Sequence, residues 1–374
     1  MNLLKYDFIA QENLKFLKTY KYKGTDQSLL YNYILSPFAN WCLKYVPLNV
    51  APNTLTLLGL ICIIICHILF YFVMGDNFLG TIPDWLLWTT FILHMIYMNF
   101  DNLDGKQARR TNNSSPLGMI LDHNFDSMII AIQGTNFVTC LQCGQSILAF
   151  LLICVPTYPF YIIAHEEYYT HEMNLPIINA AAEGTVFVGS LFAINAIFGC
   201  EFWTMKIPQF YNLQFNTVAI ILFFFVVAFG LPFVFKKITK FVPLSKALKS
   251  QTYMLFTGIV LFYVILFSPS DVGSRHMRAI LYIFGFTMSK AVGIVAVYHV
   301  SNQELPKYLN SIYLFLVLLF NTIYGQIFGQ SLIEEGLLLQ ISAFITVLVH
   351  IHFLYNITRQ ISEALKIKVF KINK

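Results

Sequence analysis

The sequence predicts an all-α polytopic membrane protein with about ten transmembrane helices, preceded by a helix that lies in the membrane interface. Three observations support this fold class: 57% of the residues are hydrophobic, 11% are charged, and long apolar segments follow one another along the chain. A run of about 20 apolar residues crosses a bilayer as a helix, because a helix satisfies its own backbone hydrogen bonds. Soluble globular chains carry about 25% charged residues, so the composition argues against soluble domains.

Ten hydrophobic segments are separated by shorter polar stretches. We place them at residues 54–74, 85–104, 117–139, 145–164, 177–199, 214–235, 251–269, 277–299, 308–328 and 333–356. Pro156 and Pro159 fall inside the fourth segment and predict a kink there. Residues 1–24 are polar and the first long apolar run begins near Leu55, so no cleavable signal peptide is expected.

The basic residues favour an orientation with both termini in the cytosol. In that orientation, the cytosolic regions carry 20 of the 24 lysine and arginine residues, as the positive-inside rule predicts. Lys206, Arg275 and Arg278 face the opposite side, and Lys290 lies within the eighth segment. The net charge of +5 reflects this asymmetry, so it does not indicate nucleic-acid binding.

Residues 28–46, before the first segment, are typical of an amphipathic helix in the membrane interface. Apolar residues recur there near helical spacing, at Leu30, Ile34, Trp41 and Tyr45. Polar residues occupy the other faces, and Pro37 interrupts the pattern. The alternative is an ordinary leader to the first span.

Four aspartates lie at the facing ends of the second and third segments: Asp101, Asp104, Asp122 and Asp126. The first two are three residues apart and the last two are four apart, so each pair projects from one helical face. Gly105 and Ala108 continue the first face, and Gly118 continues the second. Such small residues leave room for a ligand against the backbone. Because the two segments are predicted to be antiparallel neighbours, we expect the four carboxylates to converge near the cytosolic surface.

The converging carboxylates predict a metal site, because they would repel one another unless cations separate them. Hard oxygen ligands suit Mg²⁺ or Mn²⁺, and two such ions can clamp a diphosphate for in-line displacement at phosphorus. Arg109, near the end of the same segment, is suited to a bidentate phosphate contact. The alternative is a solvated acidic loop. It is disfavoured because Asp122 and Asp126 lie within an apolar helix, where acids are costly and usually functional.

The pattern D-x2-D-G-x2-A-R-x8-G-x3-D-x3-D, which runs from Asp101 to Asp126, resembles the signature of the CDP-alcohol phosphotransferase family at every fixed position. The segments DGKQARRTNNSSPLG and LDH are similar to the eukaryotic choline/ethanolamine phosphotransferase branch, as are YKYKGTDQSLL, VAPNTLTLLGL and EEYYTHEMNLPIINAAAEG. The resemblance covers roughly residues 20–190, whereas the later spans agree mainly in number and hydrophobicity.

The resemblance implies transfer of phosphocholine or phosphoethanolamine from CDP-choline or CDP-ethanolamine to diacylglycerol or its ether analogue. The products would be CMP and phosphatidylcholine or phosphatidylethanolamine. It implies nucleotide-binding roles for Asn53, Gly105, Ala108, Arg109 and Gly118, and two Mg²⁺ or Mn²⁺ ions on the four aspartates. It also implies a homodimer in endoplasmic reticulum or Golgi membranes, surrounded by membrane lipids, with the active site facing the cytosol.

Two residues are candidates for the base that accepts the proton of the acceptor hydroxyl. In the wider family, the last aspartate of the motif, here Asp126, is the usual candidate, but a metal-bound carboxylate is a weakened base. An imidazole matches neutral pH better, and the branch carries a histidine at the position of His123. We favour His123 as the base. Its alternative role is to orient Asp122 or Asp126.

Several glutamates follow the motif. Glu183 lies in the fifth segment, where an unpaired acid is costly. We expect it either to face the amine of the donor or to form a structural pair with Lys290. Glu166, Glu167 and Glu172 are predicted to lie on a solvated face of the loop between the fourth and fifth segments. The alternative is that they attract a cationic headgroup.

We divide the chain into a cytosolic N-terminal region with the interfacial helix (1–50), a catalytic core of the CDP-alcohol phosphotransferase type (51–200), additional transmembrane helices (201–356) and a basic cytosolic tail (357–374). Two alternative functions are considered. A family member that uses CDP-diacylglycerol and a soluble alcohol is disfavoured, because such chains are usually shorter. A transporter whose acids bind cations is disfavoured because the acidic pattern has no second copy, which repeated halves would predict.

Overall fold

The structure is a computed structural model that describes residues 5–306 and 309–373. Lys307 and Lys374, which were counted among the cytosolic charges, lie outside the described residues, as does position 308 at the start of the ninth predicted segment. The same holds for residues 1–4 of the N-terminal region.

The described residues are mostly helical. The α-helices are α1 (Ser36–Leu43), α2 (Pro52–Met74), α3 (Asp84–Arg110), α4 (Pro116–Cys140), α5 (Ile147–Thr170), α6 (Thr185–Phe198), α7 (Phe215–Ile238), α8 (Leu244–Lys249), α9 (Thr252–Phe267), α10 (Val272–Arg275), α11 (Met277–Val300), α12 (Ile312–Phe328) and α13 (Glu335–Leu365). Short 3₁₀ helices span Gln11–Lys18, Glu201–Thr204 and Pro208–Phe210, and π-helices span Tyr31–Leu35 and Ala180–Gly184.

Each of the ten predicted segments coincides with helix in the described part of the chain. Seven helical stretches there are long and apolar enough to cross a membrane, by length and composition. These are Pro52–Met74, Ile147–Thr170, Ala180–Phe198, Phe215–Ile238, Leu244–Phe267, Met277–Val300 and Glu335–Leu365. The prediction of an all-α polytopic protein is therefore confirmed, whereas the count of ten spans stays a prediction. α3 and α4 are outside the seven because their polar residues lower their hydropathy, and α12 is shorter.

α4 and α11 form the centre of the bundle, and most of their residues are buried. α4 packs against α2, α5 and α11, and α11 also packs against α13. α5 continues through Pro156 and Pro159 without ending. This arrangement places the polar residues of α4 inside the protein, away from lipid.

The helix predicted before the first span is present as the π-helix Tyr31–Leu35 followed by α1, with Pro37 in the first turn of α1. The end of α3 holds it in place, since Lys106 Nζ donates to Ser36 Oγ at 2.7 Å. Several large apolar side chains on this helix are exposed, including those of Ile34 and Trp41. This exposed apolar surface is what a helix in the membrane interface requires.

Two short sheets connect the loops. β1 (Gly24–Asp26) pairs in parallel with β2 (Met173–Leu175), and β3 (Lys206–Ile207) pairs antiparallel with β4 (Leu213–Gln214). The first pairing joins the N-terminal region to the loop that follows α5. The N-terminal region is therefore fastened to the transmembrane bundle.

Candidate active site

The four aspartates lie on two helices that are both packed against α2. Asp101 and Asp104 belong to α3, and Asp122 and Asp126 belong to α4. α4 begins where the sequence predicts, because Pro116 occupies its first turn and the Ser115 hydroxyl accepts from the Gly118 amide at 3.1 Å. α2 contacts both helices extensively, whereas α3 and α4 approach each other closely at few positions. The carboxylates of the two helices nevertheless come together, on the side where α3 and α4 face each other.

Three of the four carboxylates form one cluster. One oxygen each of Asp101, Asp122 and Asp126 lies within 4.8 Å of the others. Asp104 is not part of this set; it is buried and accepts a hydrogen bond from Thr56 Oγ1 of α2 at 2.7 Å. An oxygen-only set this close fits a divalent metal ion, because partly buried carboxylates repel one another without a cation between them.

Tyr97 contributes to the cluster, although its role was not predicted. Its hydroxyl donates to Asp126 Oδ1 at 3.1 Å, and its side chain is buried. Gly59 of α2 leaves room for the ring, since a Cβ there would lie 3.2 Å from Tyr97 Cδ2. Tyr97 precedes Asp101 by one helical turn, so the helical spacing alone could have identified it.

His123 is not part of the three-carboxylate set, and its nearest acidic partner lies on α5. Its Nδ1 lies 3.5 Å from Glu167 Oε2, and both side chains are buried. On the other side of this carboxylate, His299 Nε2 lies 3.9 Å from Glu167 Oε1. Glu167 therefore lies between two imidazoles, one of which belongs to the residue next to Asp122.

The prediction that Glu166 and Glu167 lie on a solvated loop face is wrong. α5 extends to Thr170, beyond the predicted end of the fourth segment, so both residues are helical and buried. Glu166 pairs with Lys237 Nζ at 2.8 Å. Glu172 lies beyond the helix and is exposed, as predicted.

The N-terminal region covers this part of the site. The ring of Tyr20 lies edge-on to the ring of His299, with centroids 5.5 Å apart. Burial, and secondarily the charge of Glu167, raises the pKa of the Tyr20 phenol well above its usual value. Tyr20 therefore remains protonated at neutral pH and presents a neutral aromatic wall beside Glu167.

The residues assigned to the nucleotide lie at the start of α2, the end of α3 and the start of α4. A Cβ at Gly118 would lie 3.3 Å from Asn53 Oδ1, so the glycine leaves the space that this carboxamide occupies. A Cβ at Gly105 would be 3.6 Å from Arg109 Nη1, which is ordinary contact distance. Ala108 is partly exposed one position before Arg109.

Arg109 differs from its basic neighbours. Lys106 is bonded to Ser36, and Arg110 Nη1 donates to the Val46 carbonyl at 3.0 Å. Arg109 is exposed, and among the described residues no hydrogen bond or ion pair holds its guanidinium. It is therefore available for an anionic ligand.

Glu183 has structural partners. It accepts hydrogen bonds from Ser28 Oγ at 2.5 Å, from the Leu30 amide at 3.3 Å and from the Asn179 amide at 2.8 Å. The expected pair with Lys290 is absent from the described residues, because these donors, not an amine, surround the carboxylate. Glu183 thus fastens the N-terminal region to the start of α6.

The chain is similar to known proteins that carry the name of one enzyme family or of enzymes with related names. The model of the family described as CDP-alcohol phosphatidyltransferase matches residues 49–289. Choline/ethanolaminephosphotransferase 1 of Arabidopsis thaliana is 27% identical over 387 residues, covering 98% of this chain and 99% of that protein. Ethanolaminephosphotransferase 1 of Homo sapiens is 26% identical over 392 residues, covering 99% and 96%. An uncharacterized CDP-alcohol phosphatidyltransferase class-I family protein 3 of Dictyostelium discoideum is 37% identical over 202 residues, covering 53% and 50%.

Proposed function

Because the chain belongs to the CDP-alcohol phosphatidyltransferase family, we propose that it transfers phosphocholine or phosphoethanolamine from the CDP-alcohol to diacylglycerol. The relatives that align along nearly the whole chain carry the names of such enzymes. The observation that supports the chemistry best is the cluster of Asp101, Asp122 and Asp126 oxygens within 4.8 Å. Family membership disfavours the transporter alternative.

The four aspartates would hold two Mg²⁺ or Mn²⁺ ions. When bound, such ions hold the donor diphosphate and neutralise charge that develops on the transferred phosphoryl group. Thr56 holds Asp104 in position, and Tyr97 holds Asp126. The free guanidinium of Arg109 would bind a phosphate of the donor, because its planar donors match phosphate oxygens.

In the reaction, the acceptor hydroxyl oxygen attacks the phosphorus that carries the alcohol. The new bond between this phosphorus and the acceptor oxygen forms while the bond to the bridging oxygen of the diphosphate breaks, and CMP leaves with that oxygen. The proton of the acceptor hydroxyl passes to a base on the protein. The products are a phospholipid and CMP.

We assign the base role to His123 and not to Asp126. Asp126 belongs to the carboxylate cluster and already accepts from Tyr97. His123 lies outside the cluster, and the Glu167 carboxylate near its Nδ1 would hold the proton on that nitrogen. The tautomer so favoured leaves Nε2 as the proton acceptor.

The same proposal includes the setting of the enzyme. The aspartate cluster and both chain ends would face the cytosol, with Tyr31–Leu35 and α1 in the membrane interface. The exposed apolar face of that helix and the distribution of basic residues support this orientation. Endoplasmic reticulum or Golgi membranes and a homodimer are proposed from the resemblance to the choline/ethanolamine branch.

CMP release by the purified protein in lipid nanodiscs tests this function. The assay supplies Mg²⁺ and diacylglycerol with CDP-choline or CDP-ethanolamine, and in parallel CDP-diacylglycerol with inositol or glycerol phosphate. We expect CMP release with the first two donors and none with CDP-diacylglycerol. No release with either CDP-choline or CDP-ethanolamine would refute the proposal.

A further inference from the structure

The C-terminal tail, residues 366–373, turns back toward the predicted nucleotide site. α13 ends at Leu365, and Lys366 adopts a left-handed conformation with φ of 56° that reverses the chain. The following residues reach the start of α2 and the linker between α3 and α4. Asn53 lies in the first of these elements, and Gly118 lies in the first turn of α4, just after the second.

Two hydrogen bonds attach the tail to these elements. Asn53 Nδ2 donates to the Val369 carbonyl at 2.9 Å. The Asn373 amide donates to Asn113 Oδ1 in the α3–α4 linker at 2.7 Å. The tail therefore contacts both sides of the region where the nucleotide is expected.

The tail has a defined shape of its own. Asn373 Oδ1 accepts from the Lys368 amide at 2.6 Å, and Asn373 Nδ2 donates to the Lys368 carbonyl at 3.2 Å. Val369 packs against the hydrophobic cluster that includes Leu117 of α4. Phe370, in contrast, is 48% exposed. The contacts of Val369 thus belong to a closed and partly buried turn.

Asn53 is held between this turn and α4. Asn53 donates one of its amide hydrogens to the Val369 carbonyl oxygen, and its Oδ1 lies in the space that Gly118 leaves open. An asparagine side chain without such partners would rotate, and a ligand would have to immobilise it on binding. The second amide hydrogen and the Oδ1 lone pairs remain for a ligand.

We propose that the C-terminal tail is a positioning element of the nucleotide site, which fixes the Asn53 carboxamide through the Val369 carbonyl. This inference rests on the proposed function, since it assigns Asn53 to the CDP-alcohol. The ligand class is a cytidine nucleotide. The tail increases the affinity of the protein for this nucleotide, and none of its residues takes part in the chemical step.

Deletion of residues 366–374 tests the proposal, with CMP release as the assay. We expect the KM for the CDP-alcohol to rise about three- to tenfold, as expected for loss of one preorganised side chain. The kcat and the KM for diacylglycerol should stay within about twofold, because the aspartates and His123 are untouched. Tyr211→Ala, which removes a 96% exposed side chain in the loop before α7, is the control and should leave all three values unchanged.

A second comparison shows whether the tail acts through Asn53. In an Asn53→Ala background, the deletion should raise the KM for the CDP-alcohol little further, because the group that the tail positions is gone. An unchanged KM for the CDP-alcohol after the deletion overturns the proposal. It is also overturned if the deletion raises this KM equally in the wild-type and the Asn53→Ala backgrounds. Asn373→Ala, which opens the turn without shortening the chain, should show a smaller rise in KM even if the deleted chain fails to fold.

CMP binding by calorimetry separates this proposal from the proposed function. A full-length chain that releases no CMP from either donor refutes the function. CMP binding that is equally tight with and without residues 366–374 refutes the role of the tail, whatever the turnover.

Discussion

Replacing Glu167 with glutamine removes one charge from the site and keeps the shape of the side chain. In the wild-type chain, the carboxylate lies 3.5 Å from His123 Nδ1 and is buried. In the proposed mechanism, His123 takes the proton of the acceptor hydroxyl, its imidazole becomes positive, and the Glu167 carboxylate stabilises that charge. Glutamine offers a weaker acceptor and no charge. We therefore expect Glu167→Gln to lower kcat and to leave the KM for the CDP-alcohol nearly unchanged.

The expected loss of kcat can be calculated from the contact between Glu167 and His123. A hydrogen bond to a charged group contributes about 1.5–3 kcal/mol, and each 1.36 kcal/mol changes a rate tenfold. The expected fall in kcat is therefore about 10- to 150-fold. The contact at 3.5 Å is longer than an ideal hydrogen bond, so the lower half of this range applies unless the pair closes when substrate binds.

The assay is CMP release under saturating donor and acceptor, with Glu166→Gln as the matched control. Glu166 is the neighbouring residue and is also buried, but it pairs with Lys237 and not with His123. We expect Glu166→Gln to keep kcat within about threefold, as a pair with a half-exposed lysine contributes little.

Two results would refute the reasoning about Glu167. One is an equal loss of kcat in Glu166→Gln and Glu167→Gln, which would indicate a general effect on the packing of α5. The other is a full additional loss when Glu167→Gln is added to His123→Ala. If Glu167 acts through His123, the second change has little left to remove.

Three further predictions concern the cluster and the nucleotide side of the site. Tyr97→Phe removes the hydroxyl that Asp126 accepts, so the Mg²⁺ concentration for half-maximal CMP release should rise about 10- to 100-fold; an unchanged Mg²⁺ titration would contradict this role. Chelation by excess EDTA should abolish CMP release, and added Mg²⁺ or Mn²⁺ should restore it, because the clustered carboxylates need a cation; full activity in EDTA would count against a metal site. Gly118→Ala places a methyl group 3.3 Å from Asn53 Oδ1 and should raise the KM for the CDP-alcohol about tenfold, with Gly230→Ala, where a Cβ meets open space, as the control.

The spacing of the aspartates predicted much of the site, because helical geometry converts spacing in the chain directly into proximity. Residues one turn apart, such as Asp122 and Asp126, must share a face, and Asp101 joins them as predicted. Asp104 shares the signature but bonds to Thr56 of a third helix. Spacing within one helix carries no information about such a partner.

The burial of Glu167 was not predicted, because the end of a helix is poorly marked in the sequence. Residues 165–170 (HEEYYT) are polar by composition, yet they continue α5 and are covered by the N-terminal region and α11. Burial there depends on elements far away in the chain, which local polarity does not reveal. The hydrogen bond between Asn53 and Val369 could not be predicted for the same reason, because these residues are 316 positions apart.

The distance in sequence between these two residues has a consequence for how the protein is made. During synthesis, α2 to α4 leave the ribosome long before the segment that contains Val369. Until that segment emerges, the carboxamide of Asn53 lacks its partner. The N-terminal segment also lacks its partner until late, since the amides of Phe8 and Ile9 donate to Gln360 Oε1, each at 3.0 Å. The helices that carry the aspartates can therefore insert early, but the nucleotide side of the site is completed only after the segment with Val369 has been made. Incomplete chains would then carry the aspartate cluster without the full capacity to bind its donor.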